Sequence, residues 1–556
     1  MHCSKHRHDI KNDVSHVTTG QGATAQIAGL RRLPLRVTVA LIITFGILLR
    51  FYHADYKAFS DDEAVTVMHI LGLTESEAVV QAVNFKHVLD LLSAVHPSTG
   101  LRPVSATIET LRIEDPQHPP VYYVLGRWWA SLFGDSRQAF RMLSASISVL
   151  ALPAMFWLCM ELFGSAAAAW VGVALLAVSP VDVLYAQEVR EYGLWLAALL
   201  AASAMFVRAL RTGSRRLWVL YAVALAISLY TYPMSAFVAM AHAVVAALAK
   251  IPWTRRLCAI GAISAGCLLF APWLMVIAAG IDQINKGMAV INHAASTPFG
   301  VLRTFLALLR VDVLDLNGAM DRLKWAAGIP IVGFIGYALY ELRRSDPLGR
   351  LFAWSLVACA TLPLVLPDLL FGGQRTAITR YFLPLFVAID LALASLASET
   401  ILSELTLPAA RRNWLIAFAL IFSAKIGSCA LSSQAHTWWT KANMRSFAVA
   451  ATLNHAPNAL LISDNYIVWA IALSEYLDPH MAVALKPRCY LCASRSTGEI
   501  DLRGLSSSGG IGTAFLLGPS AALQSKVKAI IDVERHPPAY ECIDIRNNCA
   551  GGLSLF

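Results

Sequence analysis

"AAAAWVGVALLAVSPVDVLYAQEVREYGLWLAALLAASAMFV", residues 166–207, holds two apolar runs with a charged knot between them. As helices, the runs 166–180 and 192–207 each cover most of a ~30 Å hydrocarbon layer. The knot "QEVREY" must then lie at a membrane surface, where its charges meet water. The same pattern recurs along the chain. Runs at 35–52, 140–162, 217–232, 234–248, 257–279, 325–340, 351–371, 377–397 and 414–431 complete a set of about eleven membrane helices. Composition agrees with this reading. Only 15% of the 556 residues are charged, 57% are hydrophobic, and the mean hydropathy is +0.57. Soluble globular chains carry roughly 25% charged residues. The fold class is a polytopic α-helical membrane protein rather than a soluble enzyme with one anchor. The net charge of +9 does not point to nucleic acid, because Lys and Arg gather in short loops between apolar runs.

Charge bias sets the orientation. Arg31, Arg32 and Arg36 open the first run and put the tail 1–34 in the cytoplasm. His2, Cys3, His6 and His8 in that tail fit no closed zinc site. No small-residue cleavage pattern follows 35–52, so it is a retained helix. With these crossings the basic loops 208–216, 250–256, 341–350 and 409–412 all fall on the cytoplasmic side. The other side receives "SDDE", "QEVREY", "TYP", "GIDQINKG" and "GGQRTAITR".

That parity leaves 118–133, "HPPVYYVLGRWWASLF", outside the count. Pro119 and Pro120 suit a helix start. Tyr122, Tyr123, Trp128 and Trp129 suit the interface, so a helix lying on the outer surface is expected. Residues 52–141 then form one outer loop, with helical patterns that predict a folded cap.

The tail 432–556 falls outside as well. It alternates short strands ("NALLISD", "MAVALKP", "GTAFLLG", "YECIDIR") with helices ("YIVWAIALSEYL", "AALQSKVKAIIDV"). This predicts an extracytoplasmic α/β domain. Cys489, Cys492, Cys542 and Cys549 suit structural disulfides there, with three pairings open. The chain thus divides into a cytoplasmic tail, 1–34, a transmembrane domain, 35–431, and the α/β domain, 432–556.

Ionisable residues from distant segments gather on the outer face. Asp61, Asp62 and Glu63 follow the first helix, and Asp115 and His118 precede the surface helix. Glu188, Arg190 and Glu191 lie in the knot, and Arg375 and Arg380 lead into the 377–397 helix. Carboxylates beside arginines suit transfer of a sugar from a lipid phosphate. Arginine stabilises the departing phosphate through bidentate, charge-assisted hydrogen bonds. A carboxylate takes the proton of the attacking acceptor hydroxyl. A single displacement of this kind inverts the anomeric centre, by the logic of inverting glycosidases. Each residue also has a plainer reading. Asp61 or Glu63 caps a helix, Glu188 and Arg190 form a structural pair, Arg380 snorkels, His118 starts a helix, and Glu191 is solvated.

The stretches "SDDEAVTV" (60–67), "QHPPVYYVLGRWWASLFGDSRQAFRMLSA" (117–145), "ELFGSAAAAWVGVALLAVSPVDVLYAQEVREYGLWL" (161–196) and "RYFLPLFVAI" (380–389) resemble successive motifs of one family. It is that of the dolichyl-phosphate-mannose protein mannosyltransferase-like glycosyltransferases, which includes the aminoarabinose transferase of lipid A. The resemblance runs in order from about 35 to 397. It implies a C-type membrane glycosyltransferase fold, polyprenyl-phosphate sugar donors and chemistry on the outer face. It also implies that Asp62 of the pair Asp62-Glu63 is the general base, with Asp61 an extra acid. His118-Pro119-Pro120 would lie near the donor phosphate, with Arg190, Arg380 and Arg375. Gln187, Glu188, Tyr192 and Tyr381 fall in the family's substrate-binding stretches. Val189 and Glu191 depart from the family pattern, which has a small residue and proline there. Tyr192 stands where a second acid can occur.

The expected partners are a polyprenyl-phosphate sugar, membrane lipid, and a glycan, lipid or protein acceptor, with no nucleic acid. Clustered acids allow a divalent metal, but nothing in the sequence requires a cofactor. The expected location is the bacterial inner membrane. The rival reading is a transporter or flippase of a lipid-linked sugar. Charges at one surface beside a large cap favour the enzyme.

Overall fold

The structure is a computed structural model that describes residues 34–96, 100–317, 321–401, 406–438, 446–490, 513–533 and 539–543. The histidines of the N-terminal tail, Cys492, Cys549 and the Cys542 side chain lie outside the described residues. Cys489 is in a disulfide whose partner also lies outside them.

All eleven expected segments are helical, but fewer qualify as crossings. Eight helices are long and apolar enough to span: Pro34–Phe51, Arg137–Phe163, Tyr192–Thr212, Trp253–Ala279, Trp325–Arg344, Pro347–Phe371, Thr379–Thr400 and Pro408–Ser433. A ninth forms if Ala166–Ala177 and Pro180–Ala186, bent by 59°, count as one. Arg215–Thr231, with 17 residues, and Ser235–Leu248, with 14, are too short by that measure. By length and composition, eight or nine helices among the described residues are candidate spans, against the eleven or so expected. The stretch "GIDQINKG", expected as a loop, instead opens the helix Ile281–Asn292, and Pro298–Val311 follows it.

The bent pair is what delivers the charged knot. Pro180 cannot donate a backbone hydrogen bond, so the helix stops at Ala177 and restarts. The carbonyls freed at the break need partners in an apolar surrounding. Arg50 of the first helix supplies them, donating to Ala177 O at 2.5 Å and Leu176 O at 3.2 Å. Its approach depends on Gly46, where an added Cβ would sit 2.3 Å from Ala177 O. On the restarting side, the Ser179 hydroxyl accepts from Asp182 N and donates to Asp312 Oδ1 at 2.6 Å. Asp312 belongs to a fully buried ionic hub. Lys425 Nζ lies 2.7 Å from Asp312 Oδ2 and 3.2 Å from Asp390 Oδ1.

The cap is helical, as expected: Asp61–Leu71, Glu75–Ala82, Val88–Val95, Val104–Glu114 and Val121–Phe133. Val121–Phe133 presses on Asp61–Leu71 so closely that a Cβ at Gly126 would meet Ile70 Cδ1 at 2.7 Å. Its Trp128, Leu132 and Phe133 are exposed, but Tyr122 and Tyr123 are fully buried, which corrects their expected place at the interface.

The tail carries four parallel strands, β1 (Leu460–Ser463), β2 (Ala482–Leu485), β3 (Thr513–Leu517) and β4 (Ala539–Ile543), in the order β2-β1-β3-β4. It is wired to the cap. Val88 N donates to Met481 O at 3.0 Å, Val483 N to Lys86 O at 2.8 Å, and Phe59 N to the Tyr476 hydroxyl at 2.7 Å. His96 bridges the two, 3.4 Å from Asp135 and 3.3 Å from Glu475. Arg137 approaches the other oxygen of Glu475 at 4.0 Å.

Two consequences can be measured. Lys425→Met leaves two buried carboxylates facing each other and should cost about 3–5 kcal/mol, seen as a lower unfolding temperature in detergent. Adding Asp312→Asn and Asp390→Asn should recover much of that loss. An unchanged unfolding temperature in Lys425→Met would show that the hub is not holding the helices. The second concerns His96. Burial pushes the imidazole down, but hydrogen bonds to Asp135 and Glu475 outweigh it and raise its pKa from 6.5 to about 9. The folded value is the higher one, so the stabilisation is complete below pH about 6.5 and is lost as pH rises through about 9. Unfolding temperature should fall across that window in the wild type and not in His96→Gln. Equal slopes for the two proteins would refute it.

Candidate functional site

The site is built around the N-terminus of Asp61–Leu71. Ser60 and Glu63 form a reciprocal cap: the Ser60 hydroxyl accepts from Glu63 N at 3.2 Å, and Glu63 Oε2 accepts from Ser60 N at 3.0 Å. The Glu63 carboxylate is fully committed. It takes a bidentate pair from Arg141, Nε at 2.8 Å and Nη2 at 2.7 Å, and also accepts from Val189 N at 3.0 Å. Its lone pairs are used and it is buried, so Glu63 holds the site together and has no capacity left to act as a base. Asp61 Oδ1 accepts from Asp62 N at 3.1 Å, a local cap.

Asp62 differs from both neighbours. Its side chain is 46% exposed and its Oδ2 lies 3.9 Å from Arg380 Nη1, itself 31% exposed. The Arg380 guanidinium sits 5.9 Å from the Tyr192 ring centroid and 5.7 Å from that of Tyr381. The Arg190 guanidinium is 5.6 Å from the same ring. Arg190 donates to the Thr66 hydroxyl at 2.8 Å and to His118 Nε2 at 2.9 Å. His118 Nδ1 in turn lies 2.9 Å from Asp115 Oδ2. Burial would raise the Asp115 pKa, but the neighbouring His118 brings it below the usual carboxylate value. For Arg190, burial works against the charge, and Glu191 leads the groups that hold it on. Glu191, expected to be solvated, is completely buried, 3.5 Å from His118 Nε2 and 3.7 Å from Arg190 Nε.

Asp62, His118, Arg190, Tyr192, Arg380 and Tyr381 therefore share one cluster. Three other expected residues do different work. Gln187 clamps the first helix end, donating to Leu49 O at 2.7 Å and Tyr52 O at 2.9 Å and accepting from Lys57 Nζ at 2.9 Å. Arg375 pairs with Asp368 at 2.9 Å and donates to Gly372 O. Glu188 is buried beside Lys57, Gln187 and Arg141, behind the loop that carries Arg190. Among the described residues no three His, Cys, Asp or Glu side chains stand where they could share a metal ion.

Two members of the site had signals that sequence reasoning passed over. Thr66 lies four residues after Asp62 and so shares its helix face. Arg141 is an arginine beside an apolar run, costly unless paired. Tyr232, whose ring stacks 6.2 Å from His118 and meets Tyr192 edge-on, was placed on the outer face by the stretch "TYP" but had no chemistry to single it out.

Comparisons with known proteins bear on this geometry. Residues 117–276 match the family model for dolichyl-phosphate-mannose-protein mannosyltransferase. No curated protein matches the chain. Among solved structures, the chain is similar to ArnT from Cupriavidus metallidurans in the apo state, with 13% identity, 79% of this chain and 85% of that one covered, and a TM-score of 0.50. The undecaprenyl-phosphate-bound form of that protein aligns over 79% of this chain and 75% of its own, with 13% identity and a TM-score of 0.46. An archaeal oligosaccharyltransferase, AglB from Archaeoglobus fulgidus, aligns at 12% identity over 83% of this chain and 65% of its own, with a TM-score of 0.43. The apo ArnT likeness carries the fold, which is the C-type membrane glycosyltransferase fold. Over residues 117–276, under a third of its length, the chain is thus similar to the dolichyl-phosphate-mannose-protein mannosyltransferase family.

Proposed function

We propose that the protein transfers a sugar from a polyprenyl-phosphate donor to an acceptor hydroxyl or phosphate at the outer membrane surface, with Asp62 as general base. The observation that carries this is the pairing of a half-exposed carboxylate with a partly exposed arginine, Asp62 and Arg380, 3.9 Å apart. Arg190 lies near the same Tyr192 ring. Asp62 takes the proton from the acceptor hydroxyl as its oxygen attacks the anomeric carbon. The bond from that carbon to the phosphate oxygen breaks, and configuration inverts. Charge gathers on the departing phosphate, where Arg380 and Arg190 stabilise it more in the transition state than in the ground state.

In this reading Arg215–Thr231 and Ser235–Leu248 also cross the membrane, which restores the eleven-helix threading and keeps the basic loops in the cytoplasm. The N-terminus is then cytoplasmic and the α/β tail extracytoplasmic. A disulfide at Cys489 suits an exported domain. The acceptor is a glycan, a lipid or an exported protein, and the membrane is a bacterial inner membrane.

Purified protein in detergent, supplied with a panel of polyprenyl-phosphate sugars, should release polyprenyl phosphate. Asp62→Asn should lower release by about 10²–10⁴-fold with little change in unfolding temperature. Glu63→Gln should instead lower the unfolding temperature, by about 3–5 kcal/mol of stability, because it breaks the pair with Arg141. Undiminished release by Asp62→Asn would remove Asp62 as base. Transport of the lipid-linked sugar across vesicles with no release would favour a flippase.

A further inference from the structure

Glu191 has no part in the reaction just described, yet its placement is unusual. It is completely buried, and neither of its oxygens accepts a hydrogen bond among the described residues. A carboxylate in so dry a place is costly unless positive charge faces it. Two candidates do, Arg190 Nε at 3.7 Å and His118 Nε2 at 3.5 Å.

His118 Nε2 lies 2.9 Å from Arg190 Nη2. A guanidinium only donates, so Nε2 offers its lone pair and the ring proton sits on Nδ1, facing Asp115. In this state one positive charge, on Arg190, answers two buried carboxylates, Asp115 and Glu191. A phosphate anion that engages Arg190 draws that charge away and competes for Nη2. The imidazole is then left between Asp115 and Glu191 with a bare Nε2. One proton there gives the ring two N–H groups, one for each carboxylate, and restores the balance.

We propose that binding of a phosphate anion at Arg190 is coupled to uptake of a proton by His118 Nε2, with Glu191 as the carboxylate that holds the resulting imidazolium. This rests on the reading of Arg190 as a donor-phosphate ligand. Glu191 is thus a positioning residue. The other groups facing His118 are accounted for. Tyr123 comes from Val121–Phe133, and burial keeps its hydroxyl protonated well above its ordinary range. Tyr232 presents its ring face. From Asp61–Leu71, His69 lies 3.9 Å from Asp115 and 3.6 Å from Glu114, and is the rival proton acceptor.

The test is calorimetric titration of the full-length protein in detergent with methyl farnesyl phosphate, a diester with no ionisation near neutral pH. Running it at pH 7.5 in HEPES and in Tris, whose ionisation enthalpies differ, reads proton exchange directly. Wild type and His69→Gln should take up about one proton per ligand bound, and affinity should fall as pH rises, by up to about tenfold per unit. His118→Gln and Glu191→Gln should take up close to none. Binding without proton uptake in wild type overturns the inference and leaves the phosphate site standing. Full uptake in Glu191→Gln, or its loss only in His69→Gln, also overturns it. No binding at all overturns both this inference and the reading of Arg190. Should Glu191→Gln fail to fold, wild type against His118→Gln decides.

Discussion

All five N–H groups of Arg141 are taken. Two go to the Glu63 carboxylate, and the others to the carbonyls of Ala54, Lys57 and Ala58, at 2.8 to 3.2 Å. This side chain gathers the segment between the first helix and the cap, which would otherwise carry unpaired carbonyls in a buried place. Through Glu63 it also reaches Val189 N and so fixes the knot that carries Arg190. Replacing a buried ion pair with apolar groups is often neutral for stability. Here the pair does something apolar groups would not: it sets where the helix that carries Asp62 and the loop that carries Arg190 stand relative to each other.

The same logic operates deeper in the membrane domain. Asp390 lies in Leu383–Thr400, the helix that begins just after Arg380. Asp312 holds Ser179, where the bent pair restarts toward Arg190. Lys425 ties both acids together. The two arginines of the site thus stand on two arms that share one buried cation, roughly two to three helical turns below Arg380. Charges in hydrocarbon are costly and stay where partners are fixed. That cost, once offset, makes the arms rigid with respect to each other.

Much of this was legible before any coordinates. The eleven apolar segments are helices, the cap is helical, and the tail alternates strand and helix as its pattern predicts. Period and length carry that information. Two things escaped. Chain breaks inside apolar runs, as at Ser179-Pro180, shorten helices without changing hydropathy, so a length test yields fewer candidate spans than hydropathy does. Long-range pairing also left no local mark. Gln187 and Arg375 carry the chemistry that a sugar or phosphate site wants, but their partners, Leu49 and Asp368, satisfy them structurally. A resemblance can align a residue to a motif, but only the fold says which side of the loop it occupies.

The acids make the point most sharply. Asp61, Asp62 and Glu63 are adjacent in sequence and alike in chemistry, and Glu191 joins them at the site. Helix geometry separates the first three, because successive residues point about 100° apart. One turns to cap its own backbone, one to the cleft, and one inward to Arg141. A carboxylate whose lone pairs are filled by five donors has no acceptor left for a substrate hydroxyl. One that is half exposed, as Asp62 is, keeps its access. Glu191 is the remaining case, buried without a hydrogen-bond donor among the described residues. Among the described residues it faces a guanidinium and an imidazole that are bonded to each other. Any ligand that separates those two must change the charge that Glu191 feels, and the imidazole is the one of the pair able to answer by taking up a proton.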